Sequence, residues 1–180
     1  MGKRLRVQRR GRGSPTFKAP THKRVAQSRY IPIKKTEETG VVQATVEGLE
    51  HDPGRGAPLA RCKLDIGRSF YIVAPEGIAV GQTIQIGSSA QPAIGNILPI
   101  GAIPSGTFVC NIERQPGDGG KLIRASGGYA SIVSHMSDKT SIKLSSGKSV
   151  HLNNACLATV GVVSGAGRTA KPFLKAGKKN

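Results

Sequence analysis

The sequence has 180 residues, enough for one domain of ordinary size or two small ones. Hydrophobic residues make up 37% of it and aromatic residues 4%, and it contains no Trp. These values favour small barrels with thin aliphatic cores over one large globule, and the 24 Gly and 11 Pro exclude a mainly helical protein.

The net charge of +17 is concentrated at the two ends of the chain. Residues 1–35 carry 12 Lys and Arg, residues 168–180 carry five, and neither stretch contains an acid. Between them, ten basic residues balance all ten acids. Basic segments that bury little apolar surface order when a polyanion neutralises them. The pattern predicts a nucleic acid partner; a membrane surface is the weaker alternative, because the N-terminal run lacks an apolar face.

Targeting signals and cysteine usage add little to this picture. No stretch approaches the ~20 apolar residues of a membrane span, and no apolar region follows the first basic residues as in a secretory signal. The three cysteines, Cys62, Cys110 and Cys156, are odd in number and widely spaced. We expect buried thiols in a reducing compartment.

Period-two alternation begins at Gly40. In residues 40–48, Val42, Ala44 and Val46 share one face, which predicts a half-buried strand. Further strands are expected at 59–66, 68–75 and 82–87, separated by Gly and Pro. Four or five strands in about fifty residues favour a small closed sheet of the OB type.

A second set of strands follows a predicted linker at residues 88–96. Strand candidates lie at 106–113, 121–126, 129–136, 140–146 and 156–164. The clearest hairpin places Ile142, Leu144, Val150 and Leu152 on one face, with the turn at Ser146-Gly147. These elements predict a second small barrel. The fold class is therefore all-β: two barrels with extended basic N- and C-terminal tails.

Motifs of enzymes and metalloproteins fail on their context. "SSGKS" (145–149) lacks the first glycine of a phosphate-binding loop, and "GAGRTA" (165–170) is followed by Pro172 where a helix is needed. The sequence contains no Cys-x-x-Cys or His-x-x-x-His pair. His51 and Asp52 are adjacent, which excludes triad geometry between them. We expect no metal, no cofactor and no small-molecule substrate.

Glycine-rich basic turns predict RNA contacts instead. Three of them, "PGRGAP" (53–58), "PGDGGKLIRASGGYA" (116–130) and "GAGR" (165–168), leave the backbone uncovered and place Arg55, Lys121, Arg124 and Arg168 nearby. Tyr129 either stacks on a base or belongs to the core. Aromatic residues are too few for a single-strand platform, so folded RNA read by shape is the favoured partner.

Five segments together carry a family resemblance: "RGRGSPTFKAPTHKR" (10–24), "HDPGRGAPLA" (51–60), "GNILPIGAIPSGT" (95–107), "QPGDGGKLIRASGGYASIVSH" (115–135) and "ATVGVVSGAGRTAKPFLKAGK" (158–178). The ordered set resembles the large-subunit ribosomal protein L2 family, in its archaeal and eukaryotic cytosolic branch. The resemblance implies an OB-like barrel followed by an SH3-like barrel. It also implies a cytoplasmic, non-enzymatic ribosomal component that binds large-subunit rRNA beside neighbouring ribosomal proteins. Such a component supports subunit association and the architecture around the peptidyl-transferase centre.

The predicted organisation has four parts: a basic N-terminal extension at 1–35, an OB-like barrel at 36–88, an SH3-like barrel with a short leading linker at 89–164, and a basic tail at 165–180. Family members continue past "LKAGK" through a C-terminal arm, whereas this sequence ends at Asn180, so no role near the catalytic centre is assigned. The expected RNA-binding residues are Arg4, Arg6, Arg9, Arg10, Arg12, Lys18, His22, Lys23, Arg24, Arg29, Arg55, Lys121, Arg124, Tyr129, Arg168, Lys171, Lys175 and Lys178.

The segment "HDPGRGAPLA" is accordingly interpreted as a strand connection. Pro and Gly fix its shape, Asp52 turns the local backbone, and Arg55 is offered to an RNA phosphate. Two other functions remain open from the sequence. One is a free RNA chaperone or translation factor with an OB-like barrel. The other is an enzyme acting on RNA, which requires a converging cluster of carboxylate, His or metal ligands.

Overall fold

A computed structural model describes residues 2–15, 17–18, 21–31 and 40–178. Within these ranges the chain forms ten strands, one five-residue helix α1 (Arg6–Arg10) and a few isolated 3-10 turns. The all-β prediction is therefore confirmed. The predicted domain boundary between residues 35 and 36, together with Lys34 and Lys35, lies outside the described residues.

All ten strands join in one sheet, in the order β3-β2-β1-β4-β5-β10-β6-β7-β8-β9. Pairing is antiparallel throughout, except for a single parallel pair, Ile86 with Ile97, that connects β4 to β5. The strands are β1 (Val42–Glu50), β2 (Leu59–Leu64), β3 (Ser69–Val73), β4 (Thr83–Ile86), β5 (Ile97–Pro99), β6 (Phe108–Cys110), β7 (Ala130–His135), β8 (Lys139–Leu144), β9 (Ser149–Asn153) and β10 (Leu157–Val160).

The first apolar core lies against β1 to β4. Strand β1 pairs with both β2 and β4. Its Ala44 and Val46 are fully buried, while Gln43 and Glu47 on the opposite face are exposed. Ile72 and Ile84 of the neighbouring strands pack against them. The period-two pattern thus predicted both the strand and its buried face correctly.

A second core lies against β5 to β10. All four residues of β10 are buried, because its two faces are both covered: Leu157 packs in the first core, and Ala158 and Val160 pack in the second. The predicted hairpin is present in β8 and β9, where Ile142 pairs with Val150. Its turn uses Gly147 at φ 83°, a left-handed conformation that suits glycine.

The predicted strand at 121–126 is wrong. Only an isolated bridge joins Leu122 to Ile112, and Ile123 adopts a left-handed φ of 53°. The Asn111 N–H donates to the Ile123 carbonyl at 2.8 Å, and Asn111 itself has a φ of 49°. These two conformations also shorten the predicted strand at 106–113 to Phe108–Cys110. Period-two patterns do not reveal such breaks, because the left-handed residues here are not glycine.

A third, smaller apolar cluster joins the first half of the sheet, β1 to β4, to the second half, β5 to β10. It contains Ala57 and Leu59 from the first half and Cys110 and Val163 from the second, all nearly or fully buried. The segment before β2 and the segment after β10 therefore meet. This contact positions the basic turns beside one another.

Candidate nucleic-acid interface

The three glycine-rich basic turns, far apart in sequence, are in contact. A Cβ on Gly165 would lie 3.3 Å from the Gly56 carbonyl oxygen, and one on Gly127 would lie 2.9 Å from Ala166 Cα. The contact at Gly127 leaves no room for a Cβ, and both glycines have a positive φ, 71° at Gly127 and 85° at Gly165, which favours glycine. The side chain of Arg168 spans the contact between the turns. Its guanidinium lies close to Gly56, and its Nε donates to Ser126 Oγ at 3.3 Å.

A cation-rich pocket of about 360 Å³ lies beside this contact. Its wall has three parts: an N-terminal segment, the turn before β2, and the turn that follows β6. Five cations and one acid are among the ten lining residues, so the wall carries a clear excess of positive charge. The residues are Arg24, Gln27, Ser28, Arg29, Gly54, Arg55, Asp118, Gly120, Lys121 and Arg124.

Asp52 shapes the turn that carries Arg55. Its buried carboxylate accepts the Gly54 N–H at 3.0 Å and the Arg55 Nε at 2.7 Å. Burial alone would raise the pKa of Asp52, but these hydrogen bonds and the charge of Arg55 bring it below its usual value of 3.8. The predicted backbone role of Asp52 is confirmed. Arg55 is less available than expected, since its side chain is 18% exposed and also donates to the Ala26 carbonyl at 3.1 Å.

Arg124 is held in a similar way. Its guanidinium donates to the Gly120 carbonyl at 3.0 Å and to the Ser28 carbonyl at 2.9 Å. Burial lowers the pKa of Arg124, and the positive charge of Arg55 lowers it further. The two fixed cations therefore repel each other across the pocket. An anion bound between them would remove that repulsion.

Two acids that sequence analysis did not single out build the turn after β6. Glu113 is 1% exposed and accepts three backbone N–H groups, from Gly117, Gly119 and Leu157, at 2.8–3.2 Å. Asp118 accepts the N–H groups of Arg114, Gln115 and Gly120. In the sequence, the position of Glu113 indicates this role, because it is an acid at the end of an alternating apolar run, directly before "RQPGDGG".

The last described residues of the predicted N-terminal extension pack into the fold. The Arg29 N–H donates to the Tyr71 carbonyl of β3 at 3.0 Å, and the Tyr30 N–H donates to the Gly119 carbonyl at 3.1 Å. Tyr30 is buried, as is Ser28, whose Oγ is a buried polar atom without a hydrogen-bond partner among the described residues. Residues 29 and 30 thus connect the two halves of the sheet, while the N-terminal wall of the pocket consists of Arg24, Gln27, Ser28 and Arg29.

The other predicted cations of the two ends lie on exposed chain. Arg10 lies over the Phe17 ring, 5.3 Å from its centre, and the described parts of these ends show no other ring contact of this kind. The side chain of Lys178 lies outside the described residues. Exposed and outside the pocket wall are Arg4, Arg6, Arg9, Arg10, Arg12, Lys18, His22, Lys23, Lys171 and Lys175.

Tyr129 does not belong to the core. Its side chain is 43% exposed and contacts the Phe108 ring edge to face, with centroids 4.9 Å apart and planes at 62°. Of the two alternatives open from the sequence, the core placement is therefore wrong.

Clusters of metal ligands are absent from the described residues, where no three His, Cys, Asp or Glu side chains converge. None of the helices in those same ranges has the length and apolar character needed to cross a membrane.

Comparison with known proteins identifies the family. The family model described as "Ribosomal Proteins L2, RNA binding N-terminal domain" matches residues 2–86, and "Ribosomal Proteins L2, C-terminal domain" matches residues 93–180. The chain belongs to the ribosomal protein L2 family. The prediction of a ribosomal protein rather than an enzyme is therefore confirmed.

Curated relatives of the family are similar over the whole chain. "Large ribosomal subunit protein uL2" of Methanococcus vannielii is 51% identical over 180 residues, covering 100% of this chain and 76% of the relative. The protein of the same name from Methanococcus maripaludis strain C7 is 52% identical over 180 residues and is covered to 75%. That of Methanocaldococcus jannaschii is 50% identical over 179 residues, covering 99% of this chain and 74% of the relative. These relatives are archaeal, in agreement with the branch that the resemblance indicated.

Proposed function

We propose that this chain is a structural constituent of the large ribosomal subunit that binds large-subunit rRNA through the cation-rich pocket and its basic ends. The main support for this proposal is the pocket. It brings together five cations from three distant segments, and two of these, Arg55 and Arg124, are fixed by hydrogen bonds to carbonyl or carboxylate oxygens. Cations fixed in advance lose little side-chain entropy when a phosphate binds.

The chemistry of the wall also favours an RNA backbone. Gly54 and Gly120 let the segments of the wall pack closely on one another, since a Cβ would lie 2.6 Å from Arg24 Cγ or from Asn111 Oδ1. Arginine presents a planar fork that matches phosphate oxygens. The exposed cations of both ends, with Arg168, then extend the contact to further phosphates. Exposed cations of this kind suit binding that depends on charge and not on sequence.

The wider setting follows from the family. We infer that neighbouring ribosomal proteins are further partners and that the complex belongs to cytoplasmic ribosomes. In this setting the chain supports subunit association and the RNA architecture around the peptidyl-transferase centre.

A salt series tests the pocket. Binding of large-subunit rRNA by the full chain is compared with that of Lys121→Gln and of the control Lys63→Gln. The two lysines are similarly exposed, at 61% and 52%, and each lies within 4 Å of an acid, Asp118 or Glu47. Only Lys121 lines the pocket. We expect Lys121→Gln to reduce the slope of log K against log salt by roughly 0.9 or less, and Lys63→Gln to leave it unchanged.

Two results would count against the proposal. Equal losses in both variants would mean that total charge, and not the pocket, binds the RNA. Selective binding without co-sedimentation with large subunits at high salt would favour a free RNA-binding factor instead.

A further inference from the structure

An aromatic pair lies on the outer face of the second half of the sheet. Phe108 begins β6 opposite Ser131 of β7, and the next pair, Val109 with Ala130, is fully buried. Since side chains alternate between faces, Phe108 and Tyr129 point away from the core. Both rings stay about half exposed, at 50% and 43%.

Apolar residues lie beside this pair. Gly161, directly after β10, donates its N–H to the Phe108 carbonyl at 2.8 Å and so lies beside Phe108. Its φ of 120° is unfavourable for other residues, and a Cβ there would meet Pro75 at 3.3 Å and half-exposed Ile94 at 3.6 Å. The result is a partly exposed apolar surface that includes two flat rings, in a chain that has only seven aromatic residues. Exposed patches of this kind mark interaction sites.

The charges beside the pair favour RNA over an apolar protein surface. Tyr129 follows Gly127-Gly128, and Gly127 packs on Ala166 in the turn that carries Arg168. Lys143 is paired with Ser131, two residues after Tyr129, and is exposed on the same face. Cations next to exposed rings match the two parts of a nucleotide, since a base stacks on the ring and its phosphate contacts the cation.

We propose that Phe108 and Tyr129 form a stacking site for an unpaired nucleobase of the rRNA. This inference rests on the proposed function and adds to it a contact with a base, where the pocket and the tails contact only the backbone. An edge-to-face pair presents a ring face beside a second ring, so that a flat base stacks on one and abuts the other.

The Phe108→Trp variant gives a direct readout, because the chain has no other Trp. The substitution keeps a flat ring at the site. Its emission is measured during titration with large-subunit rRNA, a short oligoadenylate and a blunt RNA duplex of equal length. We expect quenching by the rRNA and by the oligoadenylate but not by the duplex, whose bases are already stacked.

Affinity measurements separate stacking from charge. Phe108→Leu and Tyr129→Leu keep apolar volume but lose the ring, and we expect each to weaken rRNA binding roughly tenfold without changing the salt slope. Tyr129→Phe should bind like the wild type. Ile66→Ala, at a 79% exposed residue of the first half, is the matched control for removing surface apolar area. Thermal unfolding of each variant checks that the fold is retained.

The outcomes distinguish this inference from the proposed function. If the wild type binds rRNA selectively but the leucine variants bind equally well and the Trp emission is unchanged, the stacking site is wrong and the ribosomal role stands. If the Trp emission is quenched only when another ribosomal protein is added, the inference is also wrong, and the aromatic pair is a contact for that protein. Failure of the wild type to bind rRNA selectively would overturn both.

Discussion

The hydroxyl of Tyr30 donates a 2.6 Å hydrogen bond to the backbone carbonyl of Asn111, 81 residues further along the chain. The same hydroxyl lies 2.7 Å from Oγ1 of Thr159. Both contacts are buried. One side chain of the N-terminal segment therefore holds the end of β6 and the middle of β10, next to the pocket.

Replacing Tyr30 with Phe tests this connection. The variant leaves the Asn111 carbonyl and the Thr159 hydroxyl short of a partner in a buried site, so we expect the free energy of unfolding to fall by about 1–3 kcal/mol. Urea denaturation measures the change. The control is Tyr71→Phe, whose hydroxyl makes only a long 3.4 Å bond to Glu50 in a part-buried site and whose loss should cost less than about 1 kcal/mol. Equal effects would contradict the role of Tyr30.

The buried carboxylate of Glu113 gives a second prediction. Glu113→Gln leaves one oxygen to serve three backbone N–H donors, and we expect a loss of about 2 kcal/mol in the free energy of unfolding. Faster amide exchange at Gly117 and Gly119 should accompany it, since their N–H groups bond directly to this carboxylate. Glu47→Gln is the control. Its partially exposed ion pairs with Arg61 and Lys63 should contribute less than about 1 kcal/mol.

Asp52 should make the free energy of unfolding depend on pH in the acid range. Its folded-state pKa lies below the usual value, so its ionised form stabilises the fold at pH values above about 5, and that contribution is lost as the pH falls through the folded-state pKa. The stability difference between wild type and Asp52→Asn should be constant at neutral pH and shrink at low pH. Denaturation across a pH series measures it. Asp65→Asn, at an exposed turn residue, is the control for removing a carboxylate.

Alanine substitutions at Gly127 and Gly147 distinguish the effect of close packing from the effect of backbone strain. Both have positive φ, 71° and 83°, but a Cβ on Gly127 would meet Ala166 at 2.9 Å, whereas one on Gly147 would meet nothing within 4 Å. We expect Gly147→Ala to cost about 1 kcal/mol through strain alone, and Gly127→Ala to cost more and also to weaken rRNA binding. Unchanged RNA binding by a folded Gly127→Ala variant would show that contact between the turns is not needed for the interface.

The three thiols should be unreactive in the folded protein. Burial raises the pKa to about 12 for Cys62, about 12 for Cys110 and about 11 for Cys156, so that little thiolate exists near neutral pH. Alkylation at about pH 8 should label none of them without denaturant and all three with it. Because these folded-state pKa values are raised, their contribution to stability is present below the unfolded-state value near 9 and is lost at higher pH. Rapid labelling of the native protein would contradict the burial.

Local pattern determined much of this protein. Alternation in β1 fixed its buried face because neighbouring side chains on a strand point to opposite sides. The turn at Gly147 and the hairpin around it followed from residue types within a few positions of each other. The charge at the two ends needed no structure at all, since it depends only on which residues occupy those positions.

Tertiary structure alone decided where these parts meet. Contact between the turns at Gly56, Gly127 and Gly165 depends on the apolar cluster that joins the two halves of the sheet, and no short-range pattern encodes that contact. The same holds for Arg55, which the sequence offered to phosphate but which Asp52 and the Ala26 carbonyl hold in place, and for Tyr30 and Glu113, whose partners are distant in the chain. Residue type and spacing set which groups are available for hydrogen bonds and packing. The packing of segments far apart in sequence sets which of those groups become neighbours.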